Sequence, residues 1–381
     1  MTAVTQSAVA PELSEWDVVV IGAGVGGSIA ARELARRGCR VLLVDKKSFP
    51  RRKVCGSCLN ASALHLLDQA GLSELVRDLG GVPLHRLALR TGDRQADVTL
   101  IEGRSVSREA FDVGLIEAAV QIGVEFRQET SGSIEPYSAH GSFRTISLTR
   151  HDVLEQVQAR AVIVASGLGA QGLPSNEAWT SQPAPDPRVG ASCVLPADVP
   201  EYERGTIWMA VGRQGYVGLV RLEDSRLNVA AALDREFLTQ CKSPGLAVER
   251  LLTEARLPCP DPLLRADWQG TVSLTRHTTP LVDHRVFVIG DAASYVEPFT
   301  GEGMAWAIRS GLSVAPWAVM ATSAWTSDIE LGWTREYQRQ ITNQQRTCRV
   351  ISRLLHNPRL QSLSMFVLEK FPWLARYAIS K

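Results

Sequence analysis

The chain has 381 residues, 45% hydrophobic and 21% charged, with 41 Lys and Arg against 40 Asp and Glu and a formal net charge of +1. That length exceeds one ordinary hydrophobic core, so two domains are expected. The balanced charge excludes a field that gathers nucleic acid non-specifically, and no apolar run reaches the ~20 residues of a membrane span. Residues 1–15 are polar, contain Pro11 and lack an apolar h-region, which reads as a disordered leader rather than a signal peptide. The seven cysteines (39, 55, 58, 193, 241, 259 and 348) are odd in number and scattered, a pattern that suits a reducing cytoplasm better than a disulfide scaffold.

In chain order, Asp17-Val18-Val19-Val20-Ile21 reads as a buried strand. The turn Gly22-Ala23-Gly24-Val25-Gly26-Gly27 is a full G-x-G-x-x-G, opening a helix through Ala30, Ala31, Leu34 and Ala35 that stops at Gly38. A second strand, Val41 to Val44, ends in Asp45. Gly22 suits the tight turn, Gly24 the backbone approach to a pyrophosphate, and Gly27 the packing of helix on strand. The helix N-terminus offers free N–H groups to phosphates, and Asp45 is placed to accept ribose hydroxyls. Gly22, Gly24, Gly26, Gly27 and Asp45 are therefore candidate dinucleotide contacts.

Next comes Lys53-Val54-Cys55-Gly56-Ser57-Cys58-Leu59, after Phe49-Pro50-Arg51. The C-x-x-C spacing admits a redox dithiol, and the bland reading is a small residue on a tight turn at Gly56. Zinc needs a second ligand pair, which His65, His85, Cys39 and Cys193 do not form in sequence, so no metal is expected. Val106-Ser107-Arg108 with Phe111 precedes a helix from Val113 to Ile122, and Arg160 to Val164 is a strand running into Ala165-Ser166-Gly167. From Arg188 to Leu233, short runs alternate apolar and polar residues between Gly- and Pro-containing turns and read as an antiparallel sheet, with Arg90 to Leu100 as an extra strand pair in the same layer. Trp208, Met209, Tyr216 and Leu219 are candidate pocket-lining residues on it; core packing is the bland alternative. His277 reads as a loop histidine. Arg285 to Ile289 forms another buried strand, leading into Gly290-Asp291, then Pro298-Phe299-Thr300-Gly301-Glu302-Gly303 and a helix. From Glu330 the pattern is helical, and its apolar and basic tail reads as a docked cap, with peripheral membrane contact as the alternative.

Together the ordered segments at Gly22, Lys53, Val106 and Gly290 resemble the FAD-dependent oxidoreductases of the aromatic hydroxylase and geranylgeranyl reductase superfamily. The resemblance spans Asp17 to about Gly311. It implies that Asp291 binds the flavin ribityl chain and that Pro298, Gly301 and Gly303 set helix N–H groups beside the pyrimidine end of the ring. It also implies that Arg108 lies near the cofactor phosphates or ring. Lys53 to Leu59 resembles the K-x-C-G-x-x-L segment of geranylgeranyl reductases, in which Cys55 would deliver a proton beside the flavin. Ser166-Gly167 stands where aromatic hydroxylases carry Asp-Gly.

The fold expected is α/β: a discontinuous doubly wound FAD-binding domain (16–89, 101–180 and 270–325), an antiparallel β-sheet substrate domain (90–100 and 181–269) and a C-terminal helical segment (326–381). The function implied is an FAD-dependent oxidoreductase using NAD(P)H to monooxygenate or reduce an apolar, small or lipid-like substrate in the cytoplasm or at a membrane periphery. A flavin-dependent halogenase is an alternative, although the G-W-x-W-x-I-P segment is absent and Gly332-Trp333 does not replace it. A non-catalytic binding protein on a flavin fold is the other.

Overall fold

The computed structural model describes residues 13–137, 141–174, 179–185, 187–297, 301–346 and 348–349. Most of the expected leader, Pro298 and the apolar, basic tail beyond 349 lie outside these residues. An eight-stranded sheet organises the first domain. Its centre is Ser14–Ile21, flanked in parallel by Val41–Val44 and by the second half of Val153–Val164. Val18, Val19 and Val20 have no exposed surface, because both faces of a parallel sheet are covered and its strands are apolar throughout. Val286–Val288, nearly 270 residues after the first strand, pairs in parallel with Val162–Val164, so the domain is discontinuous in sequence. The first strand starts at Ser14, inside the segment read as leader.

Two helices, Val25–Ala35 and Gly303–Ser323, cross on one face of this sheet. They touch through glycine. A Cβ at Gly311 would lie 2.6 Å from the Gly26 carbonyl oxygen and 3.0 Å from Ile29, and one at Gly26 would lie 3.1 Å from the Ala307 carbonyl oxygen. The helix Ser327–Tyr337 closes the same core with Ile329, Trp333 and Tyr337.

The second domain is a seven-stranded sheet in the order Gln269–Ser273, Val189–Leu195, Leu227–Leu233, Gly215–Arg221, Thr206–Gly212, Arg86–Thr91, Arg94–Thr99. The hairpin at its edge starts at Arg86 and its outermost strand ends at Ser273, so the sheet reaches beyond the expected bounds of 90 and 269 at both joins. Two helices unforeseen in the sequence, Arg235–Cys241 and Pro244–Glu254, cover one face. The second is capped by the Ser243 hydroxyl, has Pro244 in its first turn, and buries Ala247, Val248, Leu251 and Leu252 at helical spacing. No described helix is long and apolar enough to cross a membrane.

The glycine crossing gives a direct test. Gly311→Ala drives a methyl into backbone and is expected to lower unfolding free energy by about 1–3 kcal/mol, measured by urea titration. An unchanged midpoint would mean that the helices separate freely.

Candidate functional site

The site is built around the glycine turn. Gly22 has φ +108°, and a Cβ there would lie 2.5 Å from the Ala165 carbonyl oxygen, so only glycine fits. Asp45 hooks the turn to the second strand: its carboxylate accepts the Ala23 N–H and the Lys47 N–H, each at 2.9 Å. Gly24 is the open point, and a Cβ there would lie 3.7 Å from Arg51 Nη2 and 4.0 Å from Arg108 Nη2. Two guanidinium groups thus face the turn at the N-terminus of a helix. Gly26, expected among the cofactor contacts, also packs against the Ala307 carbonyl, and Gly27 packs against Gly22 as its place in the turn implies.

Carboxylates hold both cations in place. Arg108 Nε and Nη2 donate to the two oxygens of Asp112, each at 2.9 Å, in a fork-to-fork pair one helical turn apart. Burial works against the Arg108 charge, but Asp112 outweighs it and holds the group protonated, with Cys55 adding to the effect. Arg51 reaches Asp45 at 3.5 Å and Asp112 at 3.7 Å, and its buried Nε has no partner. An FAD pyrophosphate fits this donor set: two cations flank a position kept open by Gly24 at a helix N-terminus, and one of them keeps an orphan N–H.

Along the same edge, Lys53 Nζ lies 3.4 Å from Asp291, which sits on a turn with Gly290 at φ +58°. The Gly290 N–H donates to Ser310 Oγ at 3.0 Å, tying that turn to the long helix. Gly301 has φ +75° with open space about its Cα, and the helix starts at Gly303. Pro298 lies outside the described residues. Burial raises the pKa of Glu302 at this helix start, against the opposing pull of Arg309 and of the Asn60 amide.

Cys55 lies between the domains. Its carbonyl accepts the Asn228 side-chain amide at 3.0 Å, and its sulfur accepts the Ser57 N–H at 3.4 Å. The Cys58 thiol donates to the Gly56 carbonyl at 3.2 Å, and burial raises its pKa. That carbonyl and the Ser57 N–H belong to one trans peptide unit and point in opposite directions. The two sulfurs therefore straddle a peptide plane, which disfavours the dithiol reading, and no disulfide joins the described cysteines. Among the described residues no group of His, Cys, Asp and Glu could hold a metal ion.

The expected pocket residues separate by strand alternation. Trp208 and Leu219 are cross-strand partners and face the helices; Trp208 packs between Arg86 and Arg90 and edge-on to Tyr202. Both are core of the second domain, a correction that period-2 geometry enforces. Tyr216 and Met209 lie on the opposite face, the one carrying Asn228 and turned towards Cys55. A narrow cleft opens there between Lys53, Ser57 and Arg108 below and Ser192, Val194 and Asn228 above. Burial and Glu297 raise the Tyr216 pKa; burial and Asp291, with Cys55 and Glu297, raise that of Tyr295. Both phenols are neutral donors at ordinary pH. His277 is exposed on the strand Arg276–Thr279.

Arg51, Lys53, Asn228, Tyr295, Arg188 and Glu297 were not singled out in the sequence. For the first two there was a signal, since they flank the Cys55 segment.

Residues 15–180 match the FAD binding domain family. Over that span the chain is similar to FAD-dependent oxidoreductases, and its fold is theirs. It is 23% identical over 321 residues to the 1H-pyrrole-2-carbonyl-(peptidyl-carrier protein) brominase of Pseudoalteromonas luteoviolacea, covering 80% of this chain and 77% of that one. It is 25% identical over 318 residues to the digeranylgeranylglycerophospholipid reductase of Methanosphaerula palustris, covering 80% and 77%. The p-nitrophenol 4-monooxygenase of Pseudomonas putida shares the fold at a TM-score of 0.74 and 16% identity, with 94% of each chain covered.

Arg51 and Arg108 are expected to respond differently to truncation. Arg51→Ala should weaken FAD binding by about 10- to 100-fold, as for a lost charge-assisted hydrogen bond, with little change in unfolding. Arg108→Ala should also cost about 3–5 kcal/mol of stability by stranding buried Asp112. Flavin fluorescence titration and urea unfolding read the two effects. Equal FAD affinity in all three proteins would remove the phosphate role.

Proposed function

We propose that this FAD-dependent oxidoreductase draws electrons from NADH or NADPH and reduces a carbon–carbon double bond in an apolar, lipid-like substrate held beneath the seven-stranded sheet. Bound FAD supplies two-electron storage and hydride transfer. The residues that would hold it are Gly22, Gly24 and Asp45 at the nucleotide end, Arg51 and Arg108 at the pyrophosphate, and Lys53 with Asp291 along the ribityl chain. Gly290 shapes the Asp291 turn, and Gly301 and Gly303 open the helix whose N-terminal N–H groups would face the ring.

The observation that carries the reading is the placement of Cys55. Its backbone is tied across the domain boundary by Asn228, and its thiol shares the neighbourhood of Arg108 and Tyr295. When a double bond gains a hydride at one carbon, the adjacent carbon needs a proton, and a fixed thiol can place it there. Beside the polar Ser192, Asn228 and Tyr216, the roof carries apolar or small groups: Val194, Val220, Ala230, Ala232 and Gly218 share the face of Asn228. Such a surface binds hydrocarbon by excluding water rather than by polar recognition. The match to the digeranylgeranylglycerophospholipid reductase supports the same reading.

The brominase match favours a second reading, in which oxygen is the oxidant and the substrate gains a halogen or oxygen atom. Anaerobic turnover separates the two. FAD-loaded protein, reduced in the absence of oxygen and mixed with geranylgeraniol and related polyunsaturated isoprenoids, should regain its oxidised flavin colour and yield a product heavier by one H₂. Cys55→Ala should slow that step by about 100-fold or more with FAD still bound. Substrate consumption only after oxygen is admitted would move the assignment to the oxygen-dependent chemistries.

A further inference from the structure

Arg188 is a buried cation that the chemistry above does not use. It is 2% exposed and stands just before the strand Val189–Leu195. Its Nε donates to Asp234 at 2.8 Å and its Nη1 to Glu297 at 3.1 Å, its Cζ lies 5.9 Å from the Tyr216 ring centre, and its Nη2 has no hydrogen-bond partner. Asp234 follows the strand Leu227–Leu233 of the seven-stranded sheet and precedes the helix Arg235–Cys241. Glu297, 3% exposed, stands in the first domain, two residues after Tyr295 and six before the helix at Gly303. One guanidinium therefore joins the roof to the chain leading into the helix whose N-terminus would face the flavin.

Such an arrangement is a poor way to gain stability. Burying the Arg188–Glu297 pair costs more than packing hydrocarbon of the same shape, and Coulomb attraction only partly offsets the loss of hydration. What it can fix is position and local charge. Asp234 is partly exposed and screened, so the charge that matters is that of buried Glu297, which Arg188 largely cancels. Tyr295 is the link to the cofactor residues, since it feels Asp291, Cys55, Glu297 and Arg108 together.

We propose that Arg188 is a positioning residue that neutralises Glu297 across the domain boundary and thereby tunes the reduction potential of FAD bound beside it. The proposal rests on the FAD reading above. Reduction adds negative charge to the flavin, so an uncompensated carboxylate nearby opposes it and removal of that carboxylate favours it.

The test is the midpoint potential of the FAD-loaded protein, measured by dye-coupled anaerobic titration, together with thermal unfolding of the apoprotein. Arg188→Met should disfavour reduction by about tenfold, equivalent to about 30 mV for a two-electron couple. Glu297→Gln should shift it the opposite way, and the double variant should return near the starting value. Arg188→Lys, which keeps the charge, should shift it least. Unchanged potentials with only a lower unfolding temperature would reduce Arg188 to a structural tie and overturn the proposal. If Arg188→Met does not fold, Glu297→Gln alone decides, because an unshifted potential overturns it equally. A wild-type protein that takes up no FAD would instead defeat the reading on which the proposal rests.

Discussion

Positive charge held at the mouth of the glycine turn is the constraint around which the first domain is arranged. Arg108 is buried with its charge intact because Asp112 meets it with both carboxylate oxygens. Arg51 is steered between Asp112 and Asp45. Asp45 in turn holds the turn itself through the Ala23 N–H. Each carboxylate thus orients a cation, and the Nη2 of each cation lies beside Gly24. A helix N-terminus adds its own field at the same point. This convergence makes a dianionic pyrophosphate the natural occupant and explains why polar groups that are costly to bury are concentrated here.

The two domains meet through polar ties rather than through one hydrophobic core. Asn228 holds the Cys55 carbonyl, Ser105 donates to the Arg221 carbonyl at 2.5 Å, Glu223 accepts the Ser107 N–H at 2.8 Å, and Arg188 reaches Glu297. Directional contacts fix the distance between roof and floor, whereas a greasy interface would fill the space between them. The apolar groups of the roof strands are divided between the two faces. Trp208 and Leu219 go to the helix-covered side, and Met209, Tyr216, Gly218 and Ala230 to the side facing Cys55.

Much of this arrangement is legible in the sequence. The first strand, turn, helix and Asp45 follow from local glycine chemistry and an uninterrupted apolar strand, which need no distant partner to be recognised. The seven-stranded sheet is visible in its alternation, but which phase of the alternation faces the cofactor depends on what covers each side. The helices after Asp234 supply that cover and carry no signal strong enough to announce it, so Trp208 and Leu219 group with Tyr216 in the sequence and part from it in the fold. The packing contact of Gly26 is hidden for a related reason: its neighbour, Ala307, is some 280 residues away in sequence. Arg188 and Glu297 carry no local motif at all. Their meaning comes only from a contact between domains.

The central claim is that one FAD occupies the groove from the Gly22 turn to Cys55. The most direct measurement is the flavin content of the purified protein, with uptake by the apoprotein followed by calorimetry. The account predicts a yellow protein that releases FAD on denaturation and rebinds one FAD per chain. A colourless protein whose apo form takes up no FAD would contradict it.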